Sequence, residues 1–340
     1  MLALNELCNR VHGGLHYRLR TLAGGRFREH CLPVTMMFLL TEHCNAHCIH
    51  CDIWKNTEVE ETPTVECLRQ TLSDLRAWLG PVQVTLTGGE ALMKPYTPEL
   101  VAHGSSLGLL MEVLSNGYWS NQRRIEALAR ANPWRVTLSL DGIGEVHDLI
   151  RGRRDFFAHT KSSIDTLVRM RREHGLKFNI LLKTVVMRQN LDGLAGVARF
   201  ADACGAEVLY QPIEQNYNRE VDTKWFTTSN NWPADTAKAT ERVLHLVELK
   251  REGLPIANSY DNLRQMAEYF AYPERLQNSV QTHIIKADSS HCAGLTNFQV
   301  QANGDVRTCA RRPSIGNIRE QSIRTIWEQR PKYWEECCNG

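Results

Sequence analysis

The stretch from Val34 to Cys51, VTMMFLLTEHCNAHCIHC, decides how the rest of this sequence is interpreted. Its first half is an almost uninterrupted apolar run, which is typical of a strand in a parallel sheet covered by helices. Cys44, Cys48 and Cys51 follow directly, with the spacing C-x3-C-x2-C. Three thiolates in an eight-residue loop can surround one small metal centre. Iron–sulfur cubes usually have four cysteine ligands, so three would leave one iron open for catalysis.

Further apolar runs alternate with helical patterns along the chain. The predicted strands are Val34–Leu40, Val82–Thr87, Leu109–Leu114, Arg135–Leu140, Asn179–Val186 and Glu207–Gln211. The predicted helices are Thr64–Leu79, Asn121–Ala131, Asp155–Glu173, Leu191–Cys204 and Ala234–Lys250. Six successive βα units predict an α/β fold with a right-handed parallel sheet, curved into a partial (β/α)6 barrel. Barrel enzymes place their active sites at the carboxyl ends of the strands, where the cysteine loop lies.

The composition excludes several classes of protein. The 340 residues are 42% hydrophobic and 23% charged, which is typical of a globular chain and unlike a disordered one. The 40 basic and 38 acidic residues leave a net charge of +2, too balanced for a nucleic-acid partner. No apolar run approaches the ~20 residues of a membrane helix, and no signal peptide is visible, so we expect a cytoplasmic protein without a membrane partner.

The 11 cysteines are clustered, and in a reducing compartment clustered thiols favour metal binding or chemistry over disulfides. A structural zinc site is the main alternative, because His43, His47 and His50 are neighbours of the thiols. Zinc sites normally use two separated ligand pairs, whereas all three thiols here share one loop. The spacing thus disfavours zinc, and a zinc-stabilised, non-catalytic binding protein is kept as an alternative of a different class.

Three more motifs end successive predicted strands and would meet at one edge of the sheet. Their residues are Gly88, Gly89 and Glu90 after the second strand, Ser115 and Asn116 after the third, and Ser139 and Arg151 after the fourth. Two glycines let the backbone approach a ligand closely, and Glu90 supplies an anion for an ammonium group. Ser115 and Asn116 could bond ribose hydroxyls. Each motif alone also fits a plain turn, and their joint order is the stronger evidence.

With these motifs the chain resembles the radical S-adenosylmethionine (SAM) superfamily over roughly residues 33–215. The family loop is C-x3-C-x-(aromatic)-C, and His50 occupies the aromatic position with a planar ring that can still stack. The resemblance implies a [4Fe–4S] cluster on Cys44, Cys48 and Cys51, whose fourth iron binds SAM. It also implies an external reductant of the flavodoxin or ferredoxin type, whose electron cleaves SAM to methionine and a 5′-deoxyadenosyl radical that abstracts hydrogen from the substrate.

The same resemblance assigns SAM contacts to the strand-end residues. The Gly88–Glu90 motif would hold the methionine amine. Ser139 and Arg151 would contact the carboxylate, which suits a cation with several fixed donors. No catalytic base can be identified.

A second cysteine group, made up of Cys292, Cys309, Cys337 and Cys338, lies near the C-terminus. Asn303-Gly304 between two short apolar runs predicts a hairpin, which would bring Cys292 and Cys309 together. The pattern resembles the start of the SPASM extension of radical SAM enzymes, in the shortened "twitch" form with one auxiliary [4Fe–4S] cluster. Whether Cys337, Cys338 or both are ligands stays open, as does a zinc site or unligated thiols.

These patterns divide the chain into an N-terminal segment (1–32), a radical SAM barrel (33–233) and an auxiliary-cluster module (234–340). About 30 residues before the first strand are too few for a leader-peptide-binding domain by ordinary domain sizes. We therefore expect an oxidoreductase that acts on a small biosynthetic molecule by oxidation or rearrangement, with a peptide or protein maturase as the alternative. The oligomeric state cannot be predicted.

Overall fold

The fold is built on one open sheet, seen in a computed structural model that describes residues 2–20, 22, 26–57, 61–216, 220, 222–274, 293–309, 312–333 and 335. The strands within these residues are β1 (Thr35–Leu39), β2 (Gln83–Thr87), β3 (Leu110–Ser115), β4 (Arg135–Ser139), β5 (Asn179–Val186), β6 (Glu207–Pro212), β7 (Asn297–Val300), β8 (Asp305–Arg307) and β9 (Gly316–Asn317). Their order in the sheet is β6-β5-β4-β3-β2-β1-β7-β8-β9.

Strands β1 to β6 are parallel, and each pairs with the next in sequence, as in Met36 beside Val84. The predicted α/β fold with a six-stranded partial barrel is confirmed. In a parallel sheet all carboxyl ends face the same edge, so the loops after β1 to β4 lie together.

The described helices pack mostly on the outer face of this sheet. They are α1 (Leu2–Leu19), α2 (Val65–Leu79), α3 (Thr97–Ser106), α4 (Arg123–Arg130), α5 (Glu145–Arg151), α6 (Phe156–Glu173), α7 (Leu194–Cys204), α8 (Trp225–Thr228), α9 (Thr236–Arg251), α10 (Tyr260–Ala271) and α11 (Ile323–Glu328). The five predicted helices are present, whereas no range was predicted for α1, α3, α5, α8, α10 and α11. Among the described helices, none combines the length and the hydropathy needed to cross a bilayer.

The outer face of the sheet forms the main apolar core. Val84 and Leu86 of β2 are fully buried, and α2 covers this core with its stripe of Leu68, Leu72 and Leu75. Residues spaced by three or four lie on one face of a helix, which is why this stripe can point at the sheet.

The inner face of the sheet is polar. The Glu112 carboxylate on β3 accepts hydrogen bonds from Thr85 Oγ1 at 3.0 Å, Thr137 Oγ1 at 2.6 Å and Arg135 Nε at 2.8 Å. Burial alone would raise the pKa of Glu112, but the hydrogen bond and charge of Arg135 lower it. The barrel interior therefore holds fixed charges, as a site for polar ligands requires.

The C-terminal hairpin joins the sheet at β1. Strand β7 pairs with β1 in parallel, with Thr35 beside Asn297, and β8 returns antiparallel to β7 around the predicted Asn303-Gly304 turn. The predicted hairpin is confirmed. The division of the chain at residue 233 stays a prediction.

Candidate functional site

The three thiols of the cysteine loop lie in one place. Cys44, Cys48 and Cys51 are all free, and Cys44 and Cys51 pack against a small cluster formed by Cys48, Ala46 and Phe156. Within the described residues no three Cys, His, Asp or Glu side chains are placed to hold a single metal ion.

Nitrogen donors point at the sulfur atoms. Cys44 Sγ accepts hydrogen bonds from Ala46 N at 3.4 Å and Asn116 Nδ2 at 3.7 Å, and Cys48 Sγ accepts one from Arg151 Nη1 at 3.5 Å. Donors of this kind favour the thiolate form and tune a bound iron–sulfur cluster. The loop is therefore chemically suited to hold a thiolate-ligated metal group.

Burial acts on the same thiols in the opposite direction. It raises the pKa of Cys44 to about 11, and it raises the pKa of Cys48 and of Cys51 as well. Free thiols at these positions are therefore protonated at neutral pH. Since metals bind thiolates, loading of the site must release protons.

The Gly-Gly-Glu motif holds the cysteine loop on one side. Gly89 N donates to Thr41 O at 2.7 Å, and Glu90 N donates to His43 O at 2.9 Å. A Cβ atom would lie 2.2 Å from Thr41 O at Gly88 and 2.1 Å from His43 O at Gly89. Only residues without a side chain permit this approach, so the two glycines position the loop.

Helix α5 holds the loop on its other side. His47 N donates to Arg151 O and Ile49 N donates to Ile150 O, both at 3.0 Å. Gly152 follows with φ +71°, and a Cβ atom there would lie 2.2 Å from His47 O. The cysteine loop is thus fixed by backbone contacts to two separate strand-end segments.

The Glu90 carboxylate is buried and accepts backbone hydrogen bonds. Its Oε2 accepts from Asn116 N at 2.7 Å and its Oε1 accepts from Leu92 N at 3.0 Å. Burial raises the pKa of Glu90 to about 7. Ser115 Oγ accepts from Gly117 N at 3.1 Å. Glu90 therefore links the ends of β2 and β3, and its binding of the SAM ammonium group stays a prediction.

Asn116 joins β3 to the cysteine loop through its side chain. Its Nδ2 donates to Asn45 Oδ1 at 2.7 Å, and its Oδ1 accepts from Tyr118 N at 2.8 Å. Asn45 Nδ2 in turn donates to Tyr118 O at 3.0 Å. The sequence placed Asn116 at the site but did not predict that it contacts the loop itself.

Arg151 forms a buried ion pair that sequence reasoning missed. Its Nη2 lies 2.6 Å from Asp141 Oδ2, while Asp141 Oδ1 accepts from Val185 N at 2.9 Å. Burial alone would raise the pKa of Asp141, but the charge of Arg151 holds it below its ordinary value. His147 Nδ1 accepts from Asp141 N at 3.1 Å, and burial lowers the pKa of His147 to about 3. The signal was present, since Asp141 follows β4 by two residues.

Two predicted SAM-binding residues have buried nitrogens without hydrogen-bond partners in the described structure. They are Arg151 Nε and His50 Nδ1. Burial lowers the pKa of His50 to about 4, so its ring is neutral at neutral pH. Ser139 lies on the inner face of the sheet in register with Lys183 of β5. Unsatisfied buried donors and acceptors are costly, and a ligand at this position would satisfy them.

A cavity of about 800 Å³ opens beside the cysteine loop. Ile49 and His50 of the loop, and Leu149 of α5, form part of its wall. The remaining described lining is mostly polar, with five primary amides (Gln189, Gln215, Asn216, Asn230 and Asn231) and four carboxylates (Asp52, Glu214, Glu220 and Asp222). A primary amide offers both donors and an acceptor, and so does each unit of a peptide backbone.

Of the second cysteine group, the structure describes Cys309 only. Its thiol is free and half-buried, two residues after β8. Cys292, Cys337 and Cys338 lie outside the described residues. The predicted ligand set of an auxiliary cluster therefore stays a prediction.

Comparisons with known proteins match these two regions separately. Residues 38–201 match the family model described as the radical SAM superfamily, and residues 292–335 match SPASM, an iron–sulfur cluster-binding domain. The chain is 28% identical over 305 residues to an AdoMet-dependent heme synthase of Methanosarcina barkeri (strain Fusaro / DSM 804), covering 87% of this chain and 82% of that protein.

A second relative is the antilisterial bacteriocin subtilosin biosynthesis protein AlbA of Bacillus subtilis (strain 168). It is 24% identical over 352 residues, which cover 98% of this chain and 71% of that protein. Among solved structures, Streptococcus suis SuiB bound to its precursor peptide SuiA superposes with a TM-score of 0.65 at 15% identity. The superposition covers 91% of this chain and 67% of that one, and shows that the fold is shared.

Proposed function

This chain belongs to the radical SAM superfamily with a SPASM-type region, and on that premise we propose that it modifies a peptide by hydrogen abstraction. Its cofactors are SAM and a [4Fe–4S] cluster, with auxiliary iron–sulfur chemistry in the SPASM region. When bound, the cluster supplies the electron that cleaves SAM reductively to a 5′-deoxyadenosyl radical. The remaining chemistry concerns how this chain binds and orients its ligands.

We assign the cluster to Cys44, Cys48 and Cys51, because these free thiols share one rigid loop and receive nitrogen donors. Asn116 and Arg151 would then stabilise negative charge on the sulfur atoms. Backbone contacts from the Gly-Gly-Glu motif and from α5 keep the loop in place before any ligand binds.

We assign SAM to the same edge of the sheet. The unpartnered Arg151 Nε is a buried donor for the SAM carboxylate, and the unpartnered His50 Nδ1 belongs to a ring beside the cavity. Ser139 contributes a hydroxyl on the inner face. The pair with Asp141 orients the Arg151 guanidinium, so that its Nε does not have to be ordered when SAM arrives.

The observation that carries the peptide proposal is the polar cavity at the cysteine loop. Its volume would also suit a small molecule, so the lining carries the argument: its amides can pair with a peptide backbone, and its carboxylates can pair with basic side chains. The names of AlbA and of the SuiB–SuiA complex point to the same substrate class. The sequence-based preference for a small-molecule substrate is therefore replaced by its alternative.

A second candidate is oxidation of a tetrapyrrole. The relative with 28% identity is named as a heme synthase, and the chain covers most of its length. Side chains of the barrel interior such as Lys183 offer a cation for an anionic group of such a substrate.

Anaerobically reconstituted protein, SAM and dithionite distinguish these proposals. We expect 5′-deoxyadenosine to form, and an added candidate precursor peptide to change mass. A mass change in an added iron porphyrin instead would favour the second candidate. If neither substrate changes while 5′-deoxyadenosine still forms, the peptide proposal fails and the radical SAM chemistry stands.

A further inference from the structure

Helix α1 turns an apolar stripe away from the protein. Leu4, Leu7, Val11 and Leu15 are 61%, 54%, 61% and 53% exposed, and Cys8 on the same side is exposed too. These positions share one face because they repeat every three or four residues. An amphipathic helix of a globular protein normally turns this face toward the core.

The opposite, polar face attaches α1 to the barrel. Asn5 Nδ2 donates to a backbone carbonyl before β3 at 3.0 Å, and Asn9 Oδ1 accepts from the first amide of β2 at 3.0 Å. Glu6 Oε1 accepts from Trp134 Nε1 at 2.8 Å, and the buried His16 Nδ1 accepts from a backbone amide before β1 at 3.2 Å. Turning the leucines inward would break all four bonds, so the outward stripe is fixed by the fold.

This end of the chain also concentrates exposed apolar side chains. Of the fifteen large apolar or aromatic side chains that are exposed in the described structure, eight lie between residues 2 and 27. They are Leu2, Leu4, Leu7, Val11, Leu15, Tyr17, Leu22 and Phe27. Four of them, those of the stripe, share one helix face, and an exposed apolar patch of this kind marks an interaction site.

The charges beside the stripe select the kind of partner. Residues 1–29 contain five arginines and two acidic residues, Glu6 and Glu29. Glu6 accepts a hydrogen bond from Trp134, and Glu29 lies 3.3 Å from Lys332, so packing against a second copy of α1 would bring the arginines together while both carboxylates already have partners. The partner must therefore combine apolar surface with negative charge.

The shape of the surface indicates a lipid bilayer. The stripe lies along one helix, with Arg10 beside it and Arg18 at its C-terminal end, which suits the plane of a membrane interface. Helix α1 contacts the segments that enter β1 to β4, at the edge of the sheet opposite the cysteine loop. We propose that α1 binds the protein to the surface of an anionic membrane through this stripe, which leaves the cavity facing the solution. This proposal departs from the sequence-based expectation that the protein has no membrane partner.

Vesicle flotation of the full chain tests this proposal. The flotation assay uses no substrate, so its result does not depend on the proposed function. We expect binding to phosphatidylcholine vesicles that contain phosphatidylglycerol, weak binding to phosphatidylcholine alone, and a decrease with added salt. A Leu7→Glu, Val11→Glu double variant should lower binding at least about ten-fold, because it places charge where apolar area would be buried.

Leu244→Glu is the matched control, since Leu244 is 44% exposed on α9, away from the stripe, and this variant should bind like wild type. Circular dichroism checks the fold of each variant, and Leu15→Gln replaces the double variant if that variant fails to fold. The proposal is overturned if wild-type protein does not bind anionic vesicles, or if the double variant binds them like wild type. Light scattering that shows a dimer dissociated by the double variant would overturn it in favour of a second copy.

Discussion

Arg151 and Asp141 form an ion pair of 2.6 Å in which the guanidinium is 8% and the carboxylate 0% exposed. The pair connects the last residue of α5 to the segment after β4. Through its Nη1, Arg151 also donates to the Cys48 sulfur. One side chain therefore couples the strand-end segment, the helix and the cysteine loop, which makes Asp141 a positioning residue for the site.

Asp141→Asn should destabilise the metal-free protein by about 3–5 kcal/mol, because it leaves the Arg151 guanidinium buried without a counter-charge. The asparagine keeps an oxygen for Val185 N, so the loss reports the charge. Guanidinium chloride unfolding measures it. Asp165→Asn removes the carboxylate of the exposed Lys161–Asp165 pair and should change stability little. Equal effects of the two substitutions would refute the role given to Asp141.

Gly152→Ala should reduce iron loading, because its Cβ would lie 2.2 Å from His47 O and would push the cysteine loop away. Gly175→Ala is the matched control, with φ +61° and no atom within 4 Å of its added Cβ. Both substitutions strain a left-handed backbone by about 1–2 kcal/mol. Only Gly152→Ala should also lower the iron and sulfide bound per chain after anaerobic reconstitution. Equal loading of the two variants would show that the close contact is unimportant.

Cys48→Ala should abolish formation of 5′-deoxyadenosine, because it removes the most buried of the three assigned ligands. Cys204→Ala, at the end of α7 and outside both cysteine groups, should retain it. Chromatography of SAM reactions with dithionite gives the answer. Product formation by Cys48→Ala at the wild-type rate would remove the cluster assignment.

Cys309→Ala should spare the cleavage of SAM and impair modification of the substrate. The thiol belongs to the C-terminal group, and it follows β8 rather than the cysteine loop. Iron analysis of wild-type protein checks whether the second cluster exists. About eight atoms per chain indicate two cubes, and about four indicate one. A variant with full product yield and unchanged iron content would exclude Cys309 as a cluster ligand.

The sequence predicted the parts of this protein that depend on local pattern. The run before Cys44 identified β1, and the motifs after β2, β3 and β4 meet at one edge because parallel strands require it. The pairing of Arg151 with Asp141 was not predicted, since it depends on how α5 returns to the sheet.

Two other features depend on tertiary contacts in the same way. The stripe of α1 resembles an ordinary core-facing pattern in sequence, and only its polar contacts to the barrel show that it faces outward. The parallel pairing of β7 with β1 depends on which edge of the sheet is free, and no local pattern reveals that.

The free energy of unfolding should fall as the pH drops below about 6.5, in part because of His16. Burial lowers the pKa of His16 from 6.5 to about 4, so the folded chain excludes a proton that the unfolded chain binds between these values. Each such proton reduces the free energy of unfolding by about 1.4 kcal/mol per pH unit. His50 and His147, whose pKa values are about 4 and about 3, act with the same sign.

His16→Asn keeps an acceptor for Leu32 N and should flatten, without removing, the acid slope of the free energy of unfolding. Denaturant unfolding of metal-free protein from pH 7 to pH 4 measures this slope. A His16→Asn slope as steep as wild type would show that His16 is not the group that folding keeps neutral.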